Sequence, residues 1–510
     1  MSAAGRAVAR AASAVGLAGL VLGGCAAGFW GQGLGSDAPP AGQATPNAMV
    51  LVLGEAGWSV AAQRVAKDLT AAFPDGLEFD SALPAPSDGG ASAVGVGFES
   101  ARLHTGAVEL GVDPLGVTLE VTATLEPMAL TLELGGQSLC EVSVAFDGAA
   151  LRGTVALTRT KLGRVHAGGL GAVSLEAPGA LVDLSECPDI GLSAGGRFTG
   201  ASDGYLTEAV LDAVALEAFN ALAPTLADAV PEAMGLDIAT DATVRFGDDG
   251  VGEGWVRARV RASEAEQDNW WQLAGARLHV PYAVALETKG HPCAPAPDRA
   301  VAPPTAIPTV DAEAALLLAP SIVEQAVWGL WRSGGLCGER IAHDLSWRAD
   351  ELAPGWPALD ALPPETALTV RVWPDEAPEL VLDTVGGEAR AALSVPSWTL
   401  ELYAELDGAR VRLATITVGF EVEASFAVSA DRAVWLVPEA VTVTAAGSAA
   451  GLLRAPAPEM AEGLAAPLAD ALLSARPIWW LPPFPLEPHD HVTLEGGYLV
   501  FASPPAGVSD

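Results

Sequence analysis

The stretch that decides the fold is Ala315-Leu-Leu-Leu-Ala-Pro-Ser-Ile-Val-Glu-Gln-Ala-Val-Trp-Gly-Leu-Trp-Arg-Ser-Gly-Gly-Leu336. The apolar run over 314–319 is typical of a short buried strand. Ser321 and Glu324 have the spacing of a capping box, which predicts that a helix begins there and continues to Arg332. Gly334 can adopt the left-handed conformation that ends many helices. This stretch therefore predicts a short strand followed directly by an amphipathic helix.

The same unit occurs near the start of the chain, as a strand over 49–53 and a helix over 58–73. Between the two units, residues 290–310 are dense in proline, which is typical of a semi-rigid linker. The chain after residue 46 therefore divides into two halves, 47–289 and 311–510, that begin in the same way.

Long alternating segments follow the first helix of each half. Apolar residues occupy every second position over 117–125, 130–134, 398–406 and 416–428, so each predicted strand has one apolar face. Each half then reaches a second amphipathic helix; these helices span 205–234 and 458–475. A long sheet must curl, and an amphipathic helix fits its concave side. We therefore predict an α+β fold of two tandem barrels, each a long, highly curved antiparallel sheet wrapped around long amphipathic helices.

The composition excludes some classes of partner. Asp and Glu number 63 against 27 Lys and Arg, which gives a net charge of −36. Proteins that bind nucleic acid or anionic head groups by bulk attraction need clustered positive charge, so we expect neither activity. Charged residues are only 18% and apolar residues 50%, which argues against global disorder.

The first 46 residues are typical of an exported, membrane-anchored protein. Arg6 and Arg10 precede an apolar run over 11–22 that is too short to span a bilayer. The run ends in Leu22-Gly-Gly-Cys25, which resembles the bacterial lipobox, and Ala26 follows in place of an inner-membrane retention Asp. The resemblance implies a lipoprotein signal peptide over 1–24, an acylated Cys25, a tether over 25–46 and an outer-membrane location in the cell envelope. An ordinary signal peptide with a chance cysteine is the alternative.

Four cysteines remain after Cys25: Cys140, Cys187, Cys293 and Cys337. An oxidising compartment favours their pairing, and four cysteines allow three connectivities, of which the sequential one is Cys140 with Cys187 and Cys293 with Cys337. The spacing has no Cys-x-x-Cys motif and no Cys/His cluster typical of a metal site. We expect neither a metal nor another cofactor.

The order of elements resembles the bactericidal/permeability-increasing and lipid-transfer family (the TULIP superfamily). The resemblance covers nearly all of the chain after residue 46. It rests on the stretch 315–336, on Leu481-Pro-Pro-Phe-Pro-Leu486 and on the closing strand over 497–502. The pair Cys140/Cys187 is similar to a disulfide in the family's first barrel. The resemblance implies a boomerang-shaped molecule that holds the acyl chain of a phospholipid or another acyl lipid in an apolar slot between helix and sheet.

The apolar faces of the four predicted helices supply the candidate lining residues of such slots. Closed, fully packed cores are the alternative use of the same side chains. The chain departs from cationic family members because it contains three Lys (Lys67, Lys161 and Lys289), so capture of lipid A phosphates is not implied. The candidates are Val65, Leu69, Leu222 and Leu226 in the first half and Ile322, Val323, Leu464 and Leu468 in the second.

Two short patterns offer rival chemistry. Gly200-Ala-Ser202-Asp-Gly204 matches the nucleophile elbow of serine esterases, with His279 or His343 as conceivable partners, but the alternating βα units of such enzymes are missing. His489-Asp-His491 supplies two potential metal ligands without a third nearby. We therefore expect a lipid-binding or lipid-transfer lipoprotein without catalysis. A structural or adhesive lipoprotein with packed barrels is the alternative, and an esterase at Ser202 a lesser one.

Overall fold

The structure is a computed structural model. It describes residues 44–81, 94–114, 116–134, 137–160, 163–186, 202–236, 238, 240–246, 253–263, 271–294, 307–308, 310, 312–337, 347–430, 432–474, 479–480 and 492–502. The predicted signal peptide with Cys25, Cys187, His343 and the His489/His491 pair lie outside the described residues, and so does the side chain of Ser202.

The described residues form an α+β fold that is mostly antiparallel sheet with few helices. In chain order the strands are β1 (Thr45–Leu53), β2 (Leu77–Ser81), β3 (Val94–Asp113), β4 (Gly116–Leu134), β5 (Gln137–Arg159), β6 (Val165–Glu176), β7 (Leu181–Asp183), β8 (Thr240–Phe246), β9 (Gly254–Ala262), β10 (Gln272–Ala274), β11 (Arg277–Lys289), β12 (Ala314–Leu318), β13 (Trp347–Arg348), β14 (Ala367–Pro374), β15 (Glu379–Val385), β16 (Glu388–Leu406), β17 (Ala409–Val428), β18 (Ala433–Ala450), β19 (Trp479–Trp480), β20 (Val492–Glu495) and β21 (Tyr498–Ala502). The helices are α1 (Glu55–Ala72), α2 (Ser202–Ala233), α3 (Pro320–Arg332), α4 (Ala349–Leu352) and α5 (Pro458–Ser474), with a 3-10 helix at Pro357–Ala361.

The strands make three sheets. The N-terminal sheet has the order β2-β3-β4-β5-β6, with β7 beside β5. The central sheet has the order β20-β21-β12-β1-β11-β9-β8, with β10 beside β11. The C-terminal sheet has the order β13-β14-β16-β17-β18-β19, with β15 beside β16.

The central sheet joins the two halves of the chain. β1 and β12, the first strands of the two halves, pair antiparallel, with Leu51 opposite Leu316 and Met49 opposite Leu318. On its other side each of them pairs with a strand from its own half, β1 with β11 and β12 with β21. Both strands are buried nearly throughout, which explains why their sequences are continuous apolar runs and do not alternate.

A bulge explains a change of phase in β4. Val117, Leu119, Val121 and Leu125 are buried at odd positions, whereas the buried residues further on, Met128, Leu130 and Leu132, stand at even ones. The pairing of β4 with β5 shifts register between Leu125 and Met128, around Pro127. Proline has no N–H for the ladder and is accommodated at bulges, which also bend a strand. The sequence alternation on both sides of Pro127 therefore belongs to one strand of 19 residues.

Helices α1 and α2 pack against the N-terminal sheet and against each other, α1 on β3 and α2 on β6. Phe219 of α2 is fully buried over Gly153 of β5, where an added Cβ atom would lie 2.4 Å from the ring. The helix can approach the sheet at this point because residue 153 has no side chain.

In the second half, α3 lies against β11 and β15, and α5 lies against β17 and β18. The expected capping box at Ser321 and Glu324 is wrong. The N-cap is Ala319 and Pro320 is the first helical residue, a position that proline favours, so Ser321 lies inside the helix. The expected stop is confirmed, because Gly334 has φ +82° just beyond the end of α3.

A disulfide joins Cys293, after β11, to Cys337, after α3, with 6.6 Å between their Cα atoms. It confirms one bridge of the sequential pairing. Cys140 is also disulfide-bonded, and its partner lies outside the described residues, as Cys187 does.

Candidate functional site

The described part of the chain contains a cavity between α2 and the β5–β6 edge of the N-terminal sheet. Its volume is about 310 Å³, at the lower end of the ~300–1,000 Å³ that is usual for ligand sites. We call it the α2–β6 cavity. It is lined by Val155, His166, Ala167, Gly168, Asn220, Ala223, Pro224, Leu226 and Ala227.

The sheet wall of the cavity is shaped by a bulge in β6. Val155 pairs with Leu170 and Leu157 pairs with Ala167, so Gly168 and Gly169 lie opposite a single residue of β5. An extra residue bends a strand locally, and two glycines leave this bend without side-chain volume. At Gly153 the Phe219 ring still fills the space between helix and sheet. The cavity begins two residues further along β5, at Val155.

The helix wall consists mainly of small side chains on one face of α2. Asn220, Ala223, Pro224 and Ala227 follow one another at helical i, i+3, i+4 and i+7 spacing. Leu226 adds the one large aliphatic side chain of this wall and is 1% exposed. The alanine side chains are too short to contact the bent β6, so a space remains between the two walls.

The cavity has an apolar wall and a polar rim. Val155, Ala167 and Leu226 are buried. His166 is half-buried, and Asn220 and Pro224 are exposed, so the cavity opens to solvent on this side. The hydroxyl of Thr158 donates to the carbonyl oxygen of His166 at 3.0 Å, which fixes the backbone at this rim. None of the described residues that line the cavity carries a full charge of the Lys, Arg, Asp or Glu type.

Of the eight residues predicted to line slots, only Leu226 lines this cavity. Val65 and Leu69 of α1 and Leu222 of α2 are fully buried against the N-terminal sheet. In the second half, Ile322 and Val323 lie in α3 and Leu464 and Leu468 in α5, and all four are buried. The helical stripes thus identified side chains that pack into the core.

Sequence reasoning missed the other lining residues of the cavity because most are Ala, Gly or Pro, which carry no hydrophobic periodicity. One signal was available. Ala167-Gly-Gly169 is a run of small residues inside a predicted sheet, which is typical of a bulge or of a close approach by another element.

The residues of the esterase alternative are only partly described. Ser202 is the first residue of α2. His279 lies in β11 between Val52 of β1 and Gln272 of β10 and is 4% exposed. Burial, with a smaller contribution from Arg277, lowers the pKa of the His279 imidazole. At neutral pH the lowered pKa favours the neutral form of this ring inside the central sheet.

One cluster of potential metal ligands is present in the described residues, contrary to the expectation from spacing alone. Ligand atoms of His291, Cys293 and Cys337 lie within 4.8 Å of one another. The backbone N–H of Cys293 donates to Nδ1 of His291 at 3.2 Å, and Nδ1 lies 2.8 Å from the Cys293 Sγ atom. Because the two cysteines form a disulfide, they offer no thiolates to a metal in this structure.

Residues Val210–Ala233 of α2 are long and apolar enough to cross a membrane by length and composition. A core helix passes the same test. Phe219, Leu222, Leu226 and Val230 are buried by the rest of the protein, and α2 packs against β6 and α1, so we interpret it as a core helix.

Neither a protein-family model nor a curated protein matches the chain. The solved structures that are similar to it include the following three. A crystal structure of lipopolysaccharide binding protein has TM-score 0.41 and 13% identity, covering 90% of this chain and 98% of that one. P47 of Clostridium botulinum E1 has TM-score 0.25 and 7% identity, covering 90% and 99%. The solution structure of latherin has TM-score 0.13 and 18% identity, covering 34% and 71%. All three scores are below 0.5, so these similarities carry no argument about function.

Proposed function

We propose that the chain binds an acyl lipid, with the lipid tail in the α2–β6 cavity. The observation that carries this proposal is the cavity itself, with buried Val155, Ala167 and Leu226 on its walls and an opening to solvent on the side of Asn220 and Pro224. A concave, mostly apolar space with few polar groups is the usual form of a site for a small apolar ligand.

Removal of the tail from water supplies the free energy of binding. Each buried methylene contributes about 0.8 kcal/mol, so roughly ten methylenes correspond to a gross ~8 kcal/mol. The cost of immobilising the lipid is subtracted from this value. No covalent step is needed, and we propose none.

The wider proposal takes up the sequence resemblance to the bactericidal/permeability-increasing family. The two halves form tandem barrels in a boomerang-like molecule, and an acylated Cys25 anchors the protein to the outer membrane of the cell envelope. Anchoring would keep the cavity close to a donor membrane, so that lipid is transferred as well as held. The repeated order of short strand, helix, long strands and helix in the two halves supports this arrangement.

A structural or adhesive lipoprotein is the second candidate. The observation in its favour is that the predicted lining residues other than Leu226 are buried away from the cavity, as they would be in packed cores. The two candidates differ in whether the cavity takes up lipid.

The test is to fill the cavity in the Cys25→Ser chain, which cannot be acylated. Ala223→Trp places an indole on the helix wall of the cavity. Leu216→Trp is the matched control, because Leu216 lies on the same helix, is 49% exposed and does not line the cavity. Binding is measured with a pyrene-labelled fatty acid methyl ester, which is uncharged.

We expect Ala223→Trp to weaken binding of the ester by about tenfold or more, which corresponds to ~1.4 kcal/mol, and Leu216→Trp to leave it nearly unchanged. Equal affinities in the two variants, or no binding to the parent chain, would contradict the proposal and favour the packed alternative.

A further inference from the structure

Two segments that meet beside the central sheet bring an imidazole and two sulfur atoms together. His291 and Cys293 follow β11, and Cys337 follows α3. A ring nitrogen of His291 and the two Sγ atoms lie within 4.8 Å of one another. None of these three residues lines the α2–β6 cavity, so the cluster is separate from the proposed lipid site.

Hydrogen bonds that do not involve sulfur also hold the two segments together. The backbone N–H of His291 donates to the carbonyl of Arg332 at 2.8 Å. The Arg332 guanidinium donates in return to the carbonyl of Ala294 at 2.6 Å. We therefore expect the segments to stay side by side when the disulfide is reduced.

The Nδ1 atom of His291 presents a lone pair on the side of the cysteines. The backbone N–H of Cys293 donates to Nδ1 at 3.2 Å, and an N–H can donate only to a ring nitrogen that carries no proton. The same Nδ1 lies 2.8 Å from the Cys293 Sγ atom. A neutral imidazole is the form of histidine that ligates a metal.

The spacing of the cysteine backbones suits a zinc ion as well as a disulfide. Their Cα atoms are 6.6 Å apart, near the wide end of the ~4.4–6.8 Å range that is usual for disulfides. Two thiolates at ~2.3 Å from a tetrahedral zinc ion are about 3.8 Å apart. Side-chain rotation after reduction can supply this separation without a large movement of the backbone.

Charge and burial favour zinc over other common cations. Cys337 is fully buried and His291 is 1% exposed, so a net charge in the site would be costly. Two thiolates and a neutral imidazole form a complex with Zn²⁺ that has no net charge. Cys293 is half-buried, so solvent on its side can supply water as a fourth ligand. Calcium and magnesium prefer oxygen ligands and do not suit this nitrogen and sulfur set.

We propose that His291, Cys293 and Cys337 form a zinc site when the Cys293–Cys337 disulfide is reduced. This inference does not depend on the proposed lipid binding. A dithiol reduces the disulfide in two exchange steps, which leave both cysteines as thiols and convert the dithiol to its own disulfide. Zn²⁺ then displaces the two thiol protons, which pass to the buffer. Zinc and the disulfide are therefore alternative cross-links between the same two segments.

The first experiment measures zinc binding to the reduced and the oxidised Cys25→Ser protein. A dithiol reduces the protein and is removed without air, and zinc is then titrated in competition with a chromophoric chelator. We expect the reduced chain to bind one zinc ion that the oxidised chain does not bind. Co²⁺ in place of zinc should give the charge-transfer absorption of thiolate ligands. Equal zinc binding by the two forms, or no binding by the reduced form, would overturn the proposal.

The second experiment identifies the ligands. His291→Asn keeps a hydrogen-bond acceptor for the Cys293 N–H but removes the imidazole. Partners of metal ligands contribute about 10–100-fold to affinity, so loss of a direct ligand should weaken zinc binding by at least about a hundredfold. Cys140→Ser is the matched control, because it removes a cysteine of the other disulfide and should leave the affinity unchanged. Unchanged affinity in His291→Asn, or loss of binding in Cys140→Ser, would overturn the proposal.

The third measurement uses the Cys25→Ser protein without a further substitution, so it does not depend on whether His291→Asn folds. A metal-bound thiolate is not available as a nucleophile, so zinc should slow the alkylation of half-buried Cys293 in the reduced chain by at least about tenfold. Mass spectrometry of peptides measures the rate at Cys293 and, as an internal control, at Cys140. The same rate at Cys293 with and without zinc would overturn the proposal.

Discussion

At the scale of single residues, His279 couples the central sheet to pH. Its imidazole is 4% exposed, and its Nε2 atom is buried without a hydrogen-bond partner among the described residues. Burial opposes the charged form, and Arg277 opposes it further, so the pKa of His279 is lowered from 6.5. A histidine buried in the neutral form stabilises the fold above its unfolded-state pKa and loses that contribution in acid.

We expect His279→Leu to remove this dependence. As pH falls below about 6.5, the unfolded wild-type chain binds a proton at His279 that the folded chain resists, so the free energy of unfolding falls by up to ~1.4 kcal/mol per pH unit. The leucine variant lacks this group, so its stability relative to the wild type should rise between pH 7 and pH 5. Denaturant unfolding at several pH values measures the difference, and a constant difference would refute the prediction.

Single residues also show how much of the cavity could be predicted from the sequence. The i, i+4 stripes correctly selected buried residues such as Val65 and Leu222, because large apolar side chains on one face must leave water. They did not select the cavity wall. That wall depends on missing volume at Gly168 in β6 and at Ala223 in α2, which are distant in sequence. No local pattern encodes which small residues come to face each other.

At the scale of elements, helix α1 depends on a residue of the other half. The helix has no capping side chain of its own. The Glu313 carboxylate accepts the N–H of Ala56 at 2.9 Å, and the Glu313 carbonyl accepts the N–H of Gly54 at 2.7 Å. A negative charge at a helix N-terminus also stabilises the helix dipole.

We expect Glu313→Gln to loosen the first turn of α1, because it keeps the shape of the side chain and removes its charge, at a cost of about 0.5–1 kcal/mol. Hydrogen exchange in peptides that cover residues 54–60 should become faster. Glu365→Gln removes an exposed charge from a different part of the chain and is the control. Equal exchange in the two variants would argue against a capping role for Glu313.

The sequence largely predicted which helices and strands form. It did not predict exactly where they begin and end. Alternation identified the long strands, and the expected helices agree with α1, α2, α3 and α5 to within about three residues. The capping box at Ser321 failed because Pro320 already begins the helix. At β4, one strand looked like two because the bulge at Pro127 reverses the alternation. In each case a backbone restriction imposed by proline decided the outcome.

At the scale of the whole molecule, the two halves are connected through β1 and β12. The sequence predicted two similar halves, but an apolar run of five or six residues does not specify which strand it will pair with. The antiparallel pairing of Leu51 with Leu316 makes the halves share one sheet. The Cys293–Cys337 disulfide adds a covalent link between the end of β11 and the end of α3. The cavity in the first half therefore belongs to a molecule whose two halves are tied together at the central sheet.

The most direct test of the central claim is mass spectrometry of an organic extract of the purified Cys25→Ser protein, beside Ala223→Trp made in the same way. If the α2–β6 cavity holds an acyl lipid, the parent protein should yield close to one lipid per chain and the filled variant much less. A lipid-free parent protein, or the same amount of lipid from both proteins, would contradict the claim.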